Sequence, residues 1–164
     1  MIDPALVFDS VRRGYNDLEL SSNSEILDYF GDIDSESMIG HISNIKGILF
    51  EQLYVEQLAN QGIHAEIFES TNHPVTDVVI FEDGEIINEV QLKATDSVSY
   101  INETILENPD IAIVTTAEIG NRMGEEVIAT DIENSALEES VVETLGTDDF
   151  FNPLSPIGWF FGIF

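Results

Sequence analysis

Val75–Thr95 reads V-T-D-V-V-I-F-E-D-G-E-I-I-N-E-V-Q-L-K-A-T, and its interpretation decides the fold. Val75–Phe81 is a β-branched and aromatic run interrupted only by Thr76 and Asp77, and Ile86–Leu92 is a second such run. Asp83-Gly84 between them is a strong signal for a tight hairpin, so the stretch is read as two antiparallel strands. In the second strand Glu89, Gln91 and Lys93 alternate with Val90, Leu92 and Ala94. A period of two puts the three polar side chains on one face. Asp77, soon after Pro74 on the first strand, falls within reach of that face if the register is regular. An acid, further oxygen donors and a lysine converging on one sheet suit a divalent cation and a water, because hard cations take oxygen ligands and an ammonium stabilises a charged oxygen.

Pro74-x-x-Asp77, a hairpin and then Gln91-Leu92-Lys93 resembles the pattern of the PD-(D/E)xK nuclease superfamily, the restriction-endonuclease-like fold. The resemblance implies that Asp77 and Gln91 ligate Mg²⁺ or Mn²⁺ and that Lys93 positions or activates the attacking water. It also implies an acid on the preceding helix, and Lys46-Gly47-x-x-x-Glu51 is similar to that element. Gln91 stands where an acid is usual. Some members, among them end-cleaving subunits of certain transposition systems, are similar in using Q-x-K, and Glu89, one pleat earlier on the same face, is a candidate for the missing charge. The resemblance covers Ile42 to Thr115, and its motif is short and degenerate.

Outward from that stretch, 164 residues without a repeat, 43% of them hydrophobic, imply one folded domain with a sizeable core. Residues 1–40 are expected to be an N-terminal helical extension, 41–146 the core, and 147–164 an aromatic tail. Cysteine is absent, which excludes a disulfide framework and a thiolate metal site. Met1–Leu20 carries Asp3, Asp9 and Asp17 and lacks the apolar run of a signal peptide, so a cytoplasmic location is expected. Five Lys and Arg against 32 Asp and Glu give a net charge of -27. Proteins that grip duplex DNA do so with many cations on phosphates, and this chain has no broad basic footprint. Adaptation to high salt, a partner subunit that binds the nucleic acid, or an acidic surface that imitates DNA would each account for the charge.

Met1–Ser35 reads as helical, with Arg12-Arg13 a solvated helix end beside local acids and a phosphate contact as the alternative, and Asp32–Ser37 as an acidic linker or turn with helix-starting residues. Ile42–Asn60 is the longest expected helix, stopped by Gln61-Gly62. Glu51 there shares a stripe with Ile48, Val55 and Leu58, a costly place for an acid unless it is paired, metal-bound or able to reach solvent. Ile63–Glu69 alternates as a strand, and His73 in the loop after it reads as exposed, with contact to a phosphate or a metal near Asp77 as the alternative.

After the hairpin, Asp96 is expected to cap a helix carrying Val98, Ile101 and Ile105 on one face and ending at Asn108-Pro109. Ile111–Thr115 follows as a strand parallel to Glu85–Lys93, since a crossover separates them. Thr115-Thr116-Ala117-Glu118 follows at the sheet end where α/β proteins often place function, though Thr116 is read first as the cap of a short helix; Asp131–Leu145 is read as a closing helix capped by Asp131, with Glu133, Glu138, Glu139 and Glu143 facing solvent. The tail from Phe150 to Phe164 is aromatic and uncharged, too short to span a bilayer on its own, and suits docking or homodimerisation, with the first turn of a longer hydrophobic segment as the alternative.

These readings give an α/β domain with a mixed central sheet flanked by helices, in the restriction-endonuclease-like order αβββαβ. The expected function is metal-dependent hydrolysis of phosphodiester bonds in nucleic acid, DNA favoured, with Glu51, Asp77, Gln91 and Lys93 catalytic and Asp77, Gln91, Glu51 and Glu89 around the Mg²⁺ or Mn²⁺. The alternative is a non-catalytic acidic interaction protein or DNA mimic that keeps a nuclease-like fold.

Overall fold

A computed structural model describes residues 1–68 and 76–146. His73, Pro74 and the aromatic tail, all singled out above, lie outside the described residues. Contacts divide the described residues into two compact units, one holding residues 1–49 and 135–146, the other those between 50 and 134.

The first unit is helical. Helix α1 (Pro4–Gly14) opens with the Asp3 carboxylate accepting the Ala5 amide at 2.9 Å and closes with Arg12 and Arg13 in its last turn, where cations suit the helix dipole. As expected, Arg12 is a helix-end side chain tied to local oxygens: the Ser21 carbonyl at 2.8 Å, Asp9 at 3.1 Å, and Asn23. Helix α2 (Asn23–Gly31) begins with a reciprocal capping box between Ser22 and Glu25. Helix α3 (Ser35–Asn60) is 26 residues long and starts seven residues before the apolar periodicity indicates. The reason is Asp34, whose carboxylate accepts the Ser37 amide at 2.8 Å and so turns the acidic stretch into a helix start. Met38, Ile42, Ile45 and Leu49 form one buried stripe and Phe50, Tyr54 and Leu58 a second. The change of stripe at Leu49–Phe50 is where the first unit gives way to the second.

Helix α6 (Asn134–Thr144) buries Leu137, Val141 and Val142. Two expectations fail here. The helix starts at Asn134 and not at Asp131, because the Glu118 carboxylate, distant in sequence, accepts the Asn134 amide at 2.8 Å. Glu138 does not simply face solvent, since it pairs with Lys46 of α3 at 2.8 Å, with side-chain exposures of 20% and 10%.

The second unit is built on a mixed five-stranded sheet in the order β1-β2-β3-β4-β5. Strands β1 (His64–Ile67), β2 (Val78–Glu82) and β3 (Glu85–Lys93) form an antiparallel meander. Asp83 and Gly84 have φ of 52° and 83°, the two left-handed positions that a primed two-residue hairpin needs. The register slips by one between Ile80 and Phe81, leaving Ile87 as the extra residue of β3. Helix α4 (Val98–Glu107) is followed by β4 (Ala112–Thr115), parallel to β3 as the crossover demands. Its cap is Ser97 and not Asp96: Ser97 Oγ accepts the Tyr100 amide at 3.2 Å. The face carrying Val98, Ile101 and Ile105 packs with Ile113 and Ile119, as its spacing predicts.

Helix α5 (Ala117–Met123) and β5 (Ile128–Ala129), parallel to β4, complete the unit. The two-residue β5 is too short to have a period. Gly120 lets α5 lie close to it, because a Cβ there would sit 2.4 Å from that of Ala129. Thr116 occupies the cap position of α5 without a side-chain cap bond, and its hydroxyl instead donates to the Thr95 carbonyl at 2.8 Å. The element order from α3 to β4 is helix, three strands, helix, strand. Among the described residues no helix is long and apolar enough to cross a membrane.

Candidate functional site

Asp77 immediately precedes β2, where its backbone is bound on both sides. Its amide donates to the Val90 carbonyl at 3.0 Å and its carbonyl accepts the Phe68 amide at 2.8 Å. With Val90 C=O directed at β2, alternation directs Leu92 N–H the same way, and the Asp77 carboxylate receives it at 2.8 Å. The side chain thus stands in for a backbone acceptor at the end of the β2–β3 ladder. Burial pushes the Asp77 carboxyl above its ordinary value of 3.8, and this outweighs the opposing pull of the Leu92 hydrogen bond and of the Lys93 charge. A carboxylate held in a poorly solvated position favours a positive charge that reaches it.

Gln91 is 7% exposed and its Oε1 has no hydrogen-bond partner, an uncommon state for a buried amide oxygen. Lys93 closes β3, partly buried, with Nζ 5.4 Å from the centre of the Tyr100 ring of α4. Gln91 and Lys93 lie opposite Ile113 and Thr115 of β4, and Ile113 packs with Ile101 and Ile119. The polar row read from the sequence is therefore the face that α4 and α5 cover. Glu89, nearer the hairpin, is partly buried, and its amide bonds the Asn88 side chain at 2.9 Å.

The structure brings Asp77, Gln91 and Lys93 to one border of the sheet, with Glu89 one pleat away on β3. Glu51 is partly buried on α3, as are Ile48 and Val55 of its stripe. Among the described residues no three His, Asp or Glu side chains gather into a group that could hold a metal ion, so Asp77, Glu51 and Glu89 do not form a carboxylate cluster. Two oxygen donors, Asp77 and Gln91, fit a divalent cation without such a cluster. Mg²⁺ is commonly held by one or two protein oxygens while keeping several of its waters. The orphaned Oε1 of Gln91 is the observation that supports this fit.

Tyr100 has no signal in the sequence and looks like an ordinary helix residue. Thr115 stands at the sheet end that the sequence marks, but only the α4 crossover and the β3–β4 register bring the two to Lys93. Lys46, adjacent to the Glu51 motif in sequence, is engaged by Glu138. No protein-family model, no curated protein and no solved structure matches this chain.

Proposed function

We propose that the chain is a metal-dependent phosphodiesterase of nucleic acid, of the restriction-endonuclease-like kind, with Asp77 and Gln91 as the protein ligands of a Mg²⁺ or Mn²⁺. The observation that carries this reading is the buried, unpartnered Oε1 of Gln91 on the strand whose neighbouring amide binds the Asp77 carboxylate. The element order from α3 to β4 and the P-x-x-D and Q-x-K spacing support it. A cation held there supplies Lewis-acid polarisation of a phosphoryl oxygen and a more acidic water. Asp77 contributes negative charge on a rigid strand end, fixed by the Leu92 amide. Gln91 contributes a neutral oxygen that needs no deprotonation. Lys93 places a compact positive charge where negative charge develops on the phosphate.

Lys93→Met keeps most of the stem without the charge, and Lys93→Arg keeps the charge without the shape. Both variants should fold. Each should lower Mg²⁺-dependent cleavage of DNA or RNA by roughly a hundredfold or more, the order seen when one electrostatic stabiliser is lost. Cleavage that survives in Lys93→Met refutes this role.

A second reading, a non-catalytic acidic interaction protein, is favoured by the charge. Of the five cations, Arg12, Lys46 and Arg122 donate to oxygens of the chain itself, which leaves little to bind phosphates. A wild-type protein that cleaves neither single-stranded nor duplex DNA or RNA, with Mg²⁺ or Mn²⁺ and at low or molar salt, decides for this second reading.

A further inference from the structure

Gln91 Oε1 is not the only orphaned atom on the α4 side of the sheet. Thr115 is fully buried and its Oγ1 also has no hydrogen-bond partner. A buried polar atom without a partner calls for a ligand, a water or a donor that arrives in another state. The two positions are related by the sheet. In a parallel pair, residues in register carry their side chains on one face with the strands about 4.8 Å apart. The β3–β4 register sets Thr115 opposite Lys93, and Gln91 is one pleat before Lys93. Two unsatisfied acceptors therefore flank the only Lys or Arg of β2, β3 and β4.

The Lys93 ammonium itself rests over the Tyr100 ring, whose residue is 43% exposed. A ring face holds an ammonium less firmly than a hydrogen bond in which the donor is charged. The Asp77 carboxylate also feels the Lys93 charge. A cation arriving at Asp77 and Gln91 removes that attraction and repels the ammonium. Across the strand, the acceptor waiting for it is Thr115 Oγ1.

We propose that Thr115 is a positioning residue of this site: when a divalent cation occupies Asp77 and Gln91, the Lys93 ammonium leaves the Tyr100 ring and donates a hydrogen bond to Thr115 Oγ1. The inference rests on the metal-site reading above. It gives the lysine two stations, a resting one on the ring and a working one fixed by the hydroxyl.

The chain contains only two lysines, Lys46 and Lys93, so ¹³C-lysine labelling yields two ε-methylene signals, assigned with Lys46→Arg. In wild type without cation, the Lys93 signal should be shifted upfield by the Tyr100 ring. Titration with Mg²⁺, or with Ca²⁺ to avoid turnover, should move it out of the ring current and leave Lys46 in place. In Thr115→Val the backbone amides of Gln91 and Leu92 should still respond to the cation, while the Lys93 signal stays at a different, unfixed position. Thr115→Ser should restore the wild-type response. Valine is nearly isosteric and removes an orphaned hydroxyl, so the variant without cation should unfold no earlier than wild type. A Lys93 signal that moves identically in wild type and Thr115→Val overturns the role of Thr115 and leaves the metal site standing. Failure of the metal site looks different: the Gln91 and Leu92 amides do not respond to cation, or respond equally in Asp77→Asn, and the proposal then falls with it.

Discussion

Asp77→Ala removes a charge and a structural acceptor together, and Asp77→Asn separates the two. The Asp77 carboxylate takes the Leu92 amide at 2.8 Å, and Leu92 is only 7% exposed. Alanine leaves that amide without an acceptor, at a cost of about 1–3 kcal/mol for an unsatisfied buried donor. For a chain of 164 residues this corresponds to a loss of roughly 2–12 °C in unfolding midpoint. Asparagine retains an acceptor oxygen and should lose much less.

The sign of the pH dependence follows from burial, the largest influence on the Asp77 carboxyl, which holds it above 3.8. Its proton is bound more tightly in the folded chain than in the unfolded one. The stabilisation that results is fully present below the unfolded value and is lost as pH rises through the folded value. Asparagine has no proton to lose there, so the stability of Asp77→Asn relative to wild type should rise with pH across that window. Urea unfolding of wild type, Asp77→Asn and Asp77→Ala from acid to neutral pH tests this, in molar KCl to limit precipitation near the isoelectric point of about 4.1. At neutral pH added Mg²⁺ should raise the wild-type midpoint by mass action, and should do so far less in either variant. A wild-type-to-Asn difference that stays flat in pH refutes the burial argument. A divalent shift of equal size in all three proteins reduces the cation effect to general screening.

Three further outcomes follow from the same reasoning. Gly84, at φ of 83°, should not accept a side chain freely, so Gly84→Ala should cost about 1 kcal/mol in thermal unfolding, whereas Gly31→Ala, with open space around it, should not destabilise by this route. Lys46→Met should cost about 3 kcal/mol by leaving Glu138 without its partner, and Lys46→Met with Glu138→Leu much less, read from a double-mutant cycle in urea. Molar KCl should raise the urea midpoint of the wild type, because a net charge of -27 repels itself less as the screening length falls; an unmoved midpoint means the acids are already neutralised.

The parts of the fold that were legible in the sequence are those whose cause is local. Asp83-Gly84 fixes the hairpin because few other pairs accept two left-handed residues, and the alternation of Glu89, Gln91 and Lys93 fixes a shared face. Helix starts are less legible wherever the cap is supplied from elsewhere. The start of α6 depends on Glu118, and no property of Asp131–Asn134 shows it. Choosing between Asp96 and Ser97 depends on which side chain meets the Tyr100 amide, a matter of one residue. Glu138 looks like any solvent-facing acid until α3 presents Lys46 to it. In the site, the strand pattern finds Gln91 and Lys93, but that their face is covered, that the amide oxygen is orphaned, and that Thr115 and Tyr100 flank the lysine are consequences of the crossover.

The charge and the site bear on each other. In a chain with 32 acids, a cation that only had to be neutralised would find a carboxylate at little cost, as Arg12 finds Asp9 and Lys46 finds Glu138. Lys93 lies partly buried over a tyrosine ring, beside an acid whose carboxylate is already bonded to a backbone amide and next to two acceptors without donors. An exposed ion pair is worth at most about 1 kcal/mol and calls for none of this. Holding a partly buried cation off any acceptor while two buried oxygens lack donors costs stability, and proteins tolerate such strain where a ligand or a reacting group later relieves it. The stability of Lys93→Met weighs the two possibilities directly. If Lys93 is a structural partner, the variant should be destabilised; if it is held for chemistry, the variant should unfold at or above the wild-type midpoint while losing its cleavage.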